Sequence, residues 1–193
     1  MSIEVIAEVA TNHGGCVSLA KEFIHAFAPY VDTIKFQLTR VKHLRREDPQ
    51  YEWFTRAELT LDQFAELKAE CQNAGVGFLL TVYNAVEVWE VVELGCNRVK
   101  VGSGEAGEWG LAQEIAKTGL RPLISCGLTG RWQTRYPLDS AFLGCVTRYP
   151  APDGLAALAL HTDPALCGWS DHAIGLGELE AAICVGAQIL ETH

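Results

Sequence analysis

The sequence has no long apolar run, no C-x-x-C pair, no low-complexity stretch and no excess of basic residues. Each absence removes a class of function. Without about 18 consecutive apolar residues, no segment reads as a membrane-spanning helix. The N-terminus opens directly into an apolar strand pattern instead of a basic leader. The formal net charge of −9 argues against a general nucleic-acid or anionic-membrane surface, although a few inward lysines can still dominate a cleft. The cysteines (Cys16, Cys71, Cys96, Cys126, Cys145, Cys167 and Cys184) are odd in number and lie mostly in apolar segments, where a reduced thiol packs as a small hydrophobe. They suggest neither a disulfide framework nor a zinc site, and a reducing, cytoplasmic compartment is the expectation.

What is present is an alternation. Strand-like runs at 3–10, 33–39, 77–83, 97–102, 121–126, 141–147, 166–171 and 187–192 are interleaved with helical patterns at 17–29, 60–74, 84–94, 108–118 and 176–186. Eight strands of this kind form parallel β/α units and close a barrel. Leu19, Phe23, Ala26 and Phe27 mark one face of the first helix; Phe64, Leu67 and Cys71 mark the second, which opens on Thr60 and Asp62. Between Cys126 and Ala141 there is no amphipathic period, so the helix after strand 5 is expected to be shortened. After strand 8 the sequence stops at His193, and no eighth helix is expected. The fold class is thus a reduced (β/α)8 TIM barrel, one domain over residues 1–193. Leu190 and the flank of strand 1 are expected to want a covering surface, which points to a homodimer or larger.

Polar residues that do not suit a buried strand collect at strand C-terminal ends. Strand 1 offers Glu8, Asn12 and His13; strand 2 offers Lys35 and Gln37, with Ile34 and Phe36 on the other face. Thr81 ends strand 3. Strand 4 gives Lys100, Ser103 and Glu105, strand 5 Ser125, strand 6 Thr147 and Tyr149. Strand 7 gives Ser170, Asp171 and His172, and strand 8 ends on Glu191 and His193. In a barrel these ends meet at one mouth. Burying Lys35 and Lys100 costs several kcal/mol unless anions meet them, and with the hydroxyls of Ser103, Ser125, Thr147 and Ser170 they suit a phosphate plus a carboxylate. His172 and His193, on adjacent strands, can share a divalent ion. Glu8 and Glu105 can orient a hydroxyl or move a proton. Alone, each is more ordinary: a strand-end lysine is usually an ion-pair partner. His13 alone reads as a loop residue; His25, His43 and His161 read as surface, and Trp89, Trp109, Trp132 and Trp169 as packing residues. Agreement among eight strand ends carries the joint reading.

In order along the chain, IAEVATNHGG, IKFQ, GFLLTVYN, VKVGSGE, LISCGLT, GCVTRYPAP and GWSDHAIGLGELEAAICVGAQILETH resemble the sialic acid synthases, the N-acetylneuraminate synthases and their relatives that make legionaminic or pseudaminic acid. The resemblance implies condensation of phosphoenolpyruvate with an N-acetylmannosamine-like amino sugar to a nine-carbon α-keto acid and phosphate. By the same resemblance, His172 and His193 match the metal-ligand histidines, with Mn2+ first and Mg2+ or Co2+ as alternatives. Lys35, Thr81, Lys100, Ser103, Ser125 and Ser170 match phosphoenolpyruvate contacts, and Thr147 stands where a small polar residue is usual. Glu8 and Glu105 match active-site glutamates; Gln37 and Tyr149 match sugar-side positions. Two departures stand out: the family's STPF after strand 3 reads LTVY here, and the sequence ends where the family continues into helix 8 and an antifreeze-like domain, so neither is expected in it. Two other functions compete with a synthase: a non-catalytic barrel binding phosphoenolpyruvate or a keto acid as a regulatory or assembly partner, and a metal-dependent keto-acid aldolase.

Overall fold

The computed structural model describes residues 2–127 and 136–193. Eight parallel strands close into a barrel in chain order: β1 (Glu4–Ala10), β2 (Thr33–Gln37), β3 (Gly77–Val82), β4 (Arg98–Val101), β5 (Arg121–Gly127), β6 (Ala141–Cys145), β7 (Gly168–Ser170) and β8 (Ile189–Thr192). Among the described residues the helices are α1 (Val17–Phe27), α2 (Tyr51–Ala57), α3 (Leu61–Asn73), α4 (Ala85–Glu93), α5 (Trp109–Thr118), α6 (Ala156–Thr162) and α7 (Gly177–Cys184), with one 3-10 turn at Val41–His43. All eight expected strands and five expected helices form. The short α2 and α6 had no clear period in the sequence, because seven residues are too few to show one. The expected shortening after strand 5, and Trp132, fall on residues 128–135, outside the described residues. Among the described residues, no helix is long and apolar enough to cross a membrane.

Period-2 alternation sorts each strand. The outward side chains Ile34, Phe36, Leu38, Leu80, Val82, Val99, Val101 and Ile124 form the main core with Ala20, Ile24, Phe64, Leu67, Cys71, Val88, Val91 and Ile115 of the helices. The α1 face differs from the expected one: Ala20 and Ile24 are buried, Phe23 and Phe27 flank them, and Leu19 and Ala26 are exposed. Leu190 needs no partner surface. It is 3% exposed, packed with Trp169 among Ala156, Ala159 and Ala182 of α6 and α7, a burial that contributes about 2 kcal/mol. Trp169 packs as expected, whereas Trp89 and Trp109 are about half exposed.

Inside the barrel, Ile6, Leu79, Leu123 and Leu143 form an apolar plug, and the polar residues sit one tier above it, toward the strand C-termini. β7 and β8 approach closely enough that a Cβ on Gly168 would lie 2.0 Å from the Ile189 carbonyl oxygen, so only glycine fits there. The β1–β2 register shifts between Glu8 and Ala10, and Ala10 takes a positive φ of 53°. This bulge is held by the Ala10 N–H donating to Glu8 Oε1 at 2.7 Å, and it aims the carboxylate at β2.

Helix starts fix the loops around the mouth. Thr60 and Gln63 form a reciprocal capping box on α3. Asn84 accepts the Val86 and Glu87 N–H groups at the start of α4, and the Glu87 carboxylate returns to accept the Tyr83 N–H at 2.6 Å and the Asn84 amide at 2.7 Å.

Candidate active site

A cavity of about 670 Å³ opens at the C-terminal mouth of the barrel. Its deepest polar tier holds four charged side chains. Lys35 Nζ lies 2.6 Å from Glu8 Oε2 and 2.9 Å from Glu191 Oε2; Lys100 Nζ lies 3.7 Å from Glu191 Oε1. Lys100 donates to Ser125 Oγ at 2.7 Å and to the Val101 carbonyl at 3.1 Å, and Ser170 donates to Glu191 Oε1 at 2.7 Å. Burial works against the Lys35 charge, but Glu191 and Glu8 hold its pKa above the ordinary range. For Glu191 burial is outweighed by Lys100 and Lys35, which hold it below the usual carboxylate range. Burial pushes Glu8 up; Lys35 opposes the shift, and the nearby Glu191 carboxylate adds to it. Burial also pushes Lys100 down, with Glu191 offsetting only part. Lys100 is therefore the cation less tightly paired within the protein.

The next tier is neutral and faces the mouth. Ser103 Oγ donates to the Ser125 carbonyl at 3.1 Å and lies 2.9 Å from Cys145 Sγ. Gln37, Thr81 and Thr147 line the same cavity. At the β7–β8 edge the two imidazoles are held by their Nδ1 atoms: His172 donates to the Val146 carbonyl at 2.5 Å, His193 to the Asp171 carbonyl at 2.6 Å. Their rings meet edge to face, 4.5 Å between centroids. Burial, then the neighbouring His193, pushes His172 down to about 4; burial lowers His193 as well. Both rings are neutral at pH 7, with Nε2 lone pairs turned to the cavity. Tyr149 O–H lies 2.7 Å from Nε2 of His172 and 3.4 Å from Nε2 of His193. One hydroxyl proton thus serves two acceptors, and this surplus of lone pairs suits a divalent cation. No group of three or more His, Cys, Asp or Glu among the described residues forms a full metal set, so a cation on this pair would need water or substrate to complete its shell.

Of the residues singled out in the sequence, Glu8, Lys35, Gln37, Thr81, Lys100, Ser103, Ser125, Thr147, Tyr149, Ser170, His172 and His193 all line this cavity. Glu105 does not. Its carboxylate folds back over Gly102, 2.8 Å from where a Cβ on that glycine would stand, and burial raises its pKa. His13 is buried beside Phe36, its Nδ1 accepting the Gly15 N–H; His25, His43 and His161 are exposed as expected. Six further residues line the cavity, and three of them carry functional side chains to which the sequence pattern assigns no role. Glu191 stands two residues before His193, and Tyr83 two after Thr81, each on the same inward face. Cys145 likewise stands two before Thr147. The period-2 rule alone could have found them; for Glu191, two inward lysines in need of counter-ions were the additional signal.

A profile of the NeuB family matches residues 24–193. The N,N'-diacetyllegionaminic acid synthase of Legionella pneumophila is 26% identical over 100% of this chain and 64% of its own length. The N-acetylneuraminate-9-phosphate synthase of Homo sapiens is 28% identical over 98% of this chain and 61% of its own. The chain spans about three-fifths of the length of the curated relatives it matches. The crystal structure of a sialic acid synthetase from Leptospira borgpetersenii superposes with a TM-score of 0.89 at 24% identity, covering 100% of this chain and 73% of that one; it supports the fold.

Proposed function

The chain belongs to the NeuB family, and from that premise we propose that it is a transferase of the N-acetylneuraminate synthase type. It condenses phosphoenolpyruvate with an N-acetylmannosamine-like amino sugar in a metal-dependent reaction. The products are a nine-carbon α-keto acid of the sialic type and inorganic phosphate. The observation that carries this reading is the pairing, in one cavity, of two floor lysines with two imidazoles whose lone pairs share one proton.

Lys100, with Ser103, Ser125, Ser170 and Thr147, receives the phosphate. Lys35 and Thr81, on the adjacent strands β2 and β3, receive the carboxylate. In the reaction, C3 of the enol forms a bond to the sugar aldehyde carbon, water adds at C2, and the C2–O bond breaks to release phosphate. Lys100 neutralises the charge that grows on the leaving phosphate, and its hydrogen bond to Ser125 fixes its head before the reaction begins. Glu8 pins Lys35 through β1 and β2, while the apolar plug beneath keeps the floor dry. Gln37 and Tyr149 meet the sugar at the mouth. His172 and His193 hold the divalent cation, Mn2+ in the first instance, which when bound supplies Lewis-acid polarisation of the aldehyde and positive charge beside the anion.

The purified chain, supplied with Mn2+, phosphoenolpyruvate and a panel of acetamido sugars, is expected to release phosphate well above a His172→Ala control. Equal release by both would sink the proposal. Pyruvate turnover without phosphate release would mark an aldolase, and tight binding without turnover a regulatory barrel. We also propose self-association as a homodimer or larger, supported not by Leu190 but by the exposed apolar side chains Ile174, Leu176, Ile183 and Val185 on and beside α7; light scattering at micromolar concentration would overturn it by showing a monodisperse monomer.

A further inference from the structure

Tyr149 has a relationship to the imidazole pair beyond a place on the cavity wall. Its ring stacks on His172 with centroids 3.9 Å apart and meets His193 edge-on at 5.5 Å. Its hydroxyl stands within hydrogen-bond reach of both Nε2 atoms. The Nδ1 atoms of both histidines are occupied by backbone carbonyls, so these lone pairs are the only ring positions left for a ligand. Ser170 Oγ also lies 3.4 Å from His172 Nε2, but its proton goes to Glu191 Oε1 at 2.7 Å. The phenol is thus the donor that serves the pair.

We propose that Tyr149 gates the imidazole pair: its hydroxyl competes with a divalent cation for the Nε2 lone pairs, so metal binding must displace the phenol. This rests on reading His172 and His193 as the metal pair. The displacement is local, because Tyr149 is 63% exposed and its ring can turn toward solvent without opening the core. It also orders the steps. A cation on both lone pairs leaves the phenol proton without its acceptor, and the freed hydroxyl at the mouth is then available to an acceptor sugar hydroxyl or acetamide. Metal before sugar is the sequence of binding this geometry favours.

The test is calorimetric titration of the full chain with Mn2+ alone, without phosphoenolpyruvate or sugar, for the wild type, Tyr149→Phe and His172→Ala. Tyr149→Phe keeps the stacked ring and removes one hydrogen bond worth roughly 1 kcal/mol, so it is expected to bind Mn2+ about 3- to 10-fold more tightly. His172→Ala is expected to lose the binding. As a second readout, Mn2+ should produce a tyrosine near-ultraviolet difference spectrum in the wild type that Tyr149→Phe lacks. Equal or weaker Mn2+ binding by Tyr149→Phe would overturn the gate while leaving the metal pair intact, provided His172→Ala still abolishes binding. Absence of Mn2+ binding in both wild type and Tyr149→Phe would overturn the gate and the metal pair together. Phosphoenolpyruvate calorimetry on the same samples would then show separately whether the anion floor stands.

Discussion

Lys35 on β2 and Glu191 on β8 form a buried ion pair, Nζ to Oε2 2.9 Å, across the intervening strand β1. Neither side chain is more than 3% exposed. Glu8 of the intervening β1 completes the arrangement, its Oε2 lying 2.6 Å from the same ammonium. Two carboxylates and one ammonium are thus fixed before any substrate arrives, and the tier is preorganised at the cost of desolvating all three.

That arrangement predicts a large penalty for removing its centre. Lys35→Met leaves Glu8 and Glu191 without their shared counter-ion, and is expected to lose on the order of 3 kcal/mol in urea unfolding. Adding Glu191→Gln should cost less than the sum of the two single changes, because the second mutation removes a charge already stranded. Simple additivity in that cycle would show that the pair is not energetically coupled.

Lys100 should behave in the opposite way. It is buried, its charge is disfavoured by burial, and its closest carboxylate oxygen is 3.7 Å away. Lys100→Met is expected to leave unfolding stability within about 1 kcal/mol of wild type while weakening phosphoenolpyruvate binding about 10- to 100-fold, through loss of a charge-assisted contact. Thermal melting and calorimetry on one preparation measure both; unchanged affinity would remove Lys100 from the anion site.

The charges of Glu8, Lys35, Lys100 and Glu191 cancel, so the floor offers no net positive charge to an anion. A divalent cation held by His172 and His193, as proposed, would add it. Phosphoenolpyruvate is expected to bind about 5- to 150-fold more tightly with saturating Mn2+, and Mn2+ to tighten by the same factor with phosphoenolpyruvate, as linkage requires. Reciprocal titrations check this, and His172→Ala should abolish the coupling.

Glu87 predicts a pH dependence outside the cavity. Burial raises its pKa from 4.5 to about 7, although it accepts the Tyr83 N–H and the Asn84 amide. The folded chain therefore keeps a proton that the unfolded chain releases between those values. The contribution is fully present below about pH 4.5 and is lost as pH rises through 7. Glu87→Gln cannot lose it. The stability of wild type relative to Glu87→Gln is expected to fall by about 3 kcal/mol from pH 4.5 to pH 8. A flat difference in urea unfolding across that range would refute the assignment.

The strands and the mouth were legible in the sequence because side-chain direction alternates with a fixed period. Once Lys35 is inward, so is Gln37, and Ile34 and Phe36 must face helices. That is why each of the eight strand ends delivers at least one of its polar residues to one cavity, although Glu105 and His13 turn elsewhere. The α1 face differs from the sequence stripe because Phe23 and Phe27 dominate that stripe, while packing against α3 buries Ala20 and Ile24. Leu190 looked uncovered because α6 is too short to announce itself in sequence.

By itself, then, the sequence determined the barrel, the inward tier and most of the residues that line it, since period and composition are local properties. Only the tertiary structure decided what those residues do to one another. Closing the barrel brings β2 and β8 to either side of β1, and so sets Glu191 between two lysines that lie 156 and 91 residues earlier in the chain. It turns the Glu105 carboxylate back over Gly102 and places the Tyr149 hydroxyl on both imidazoles. Charge pairing and lone-pair direction depend on distances of about 3 Å, and such distances between remote residues exist only once the chain has closed on itself.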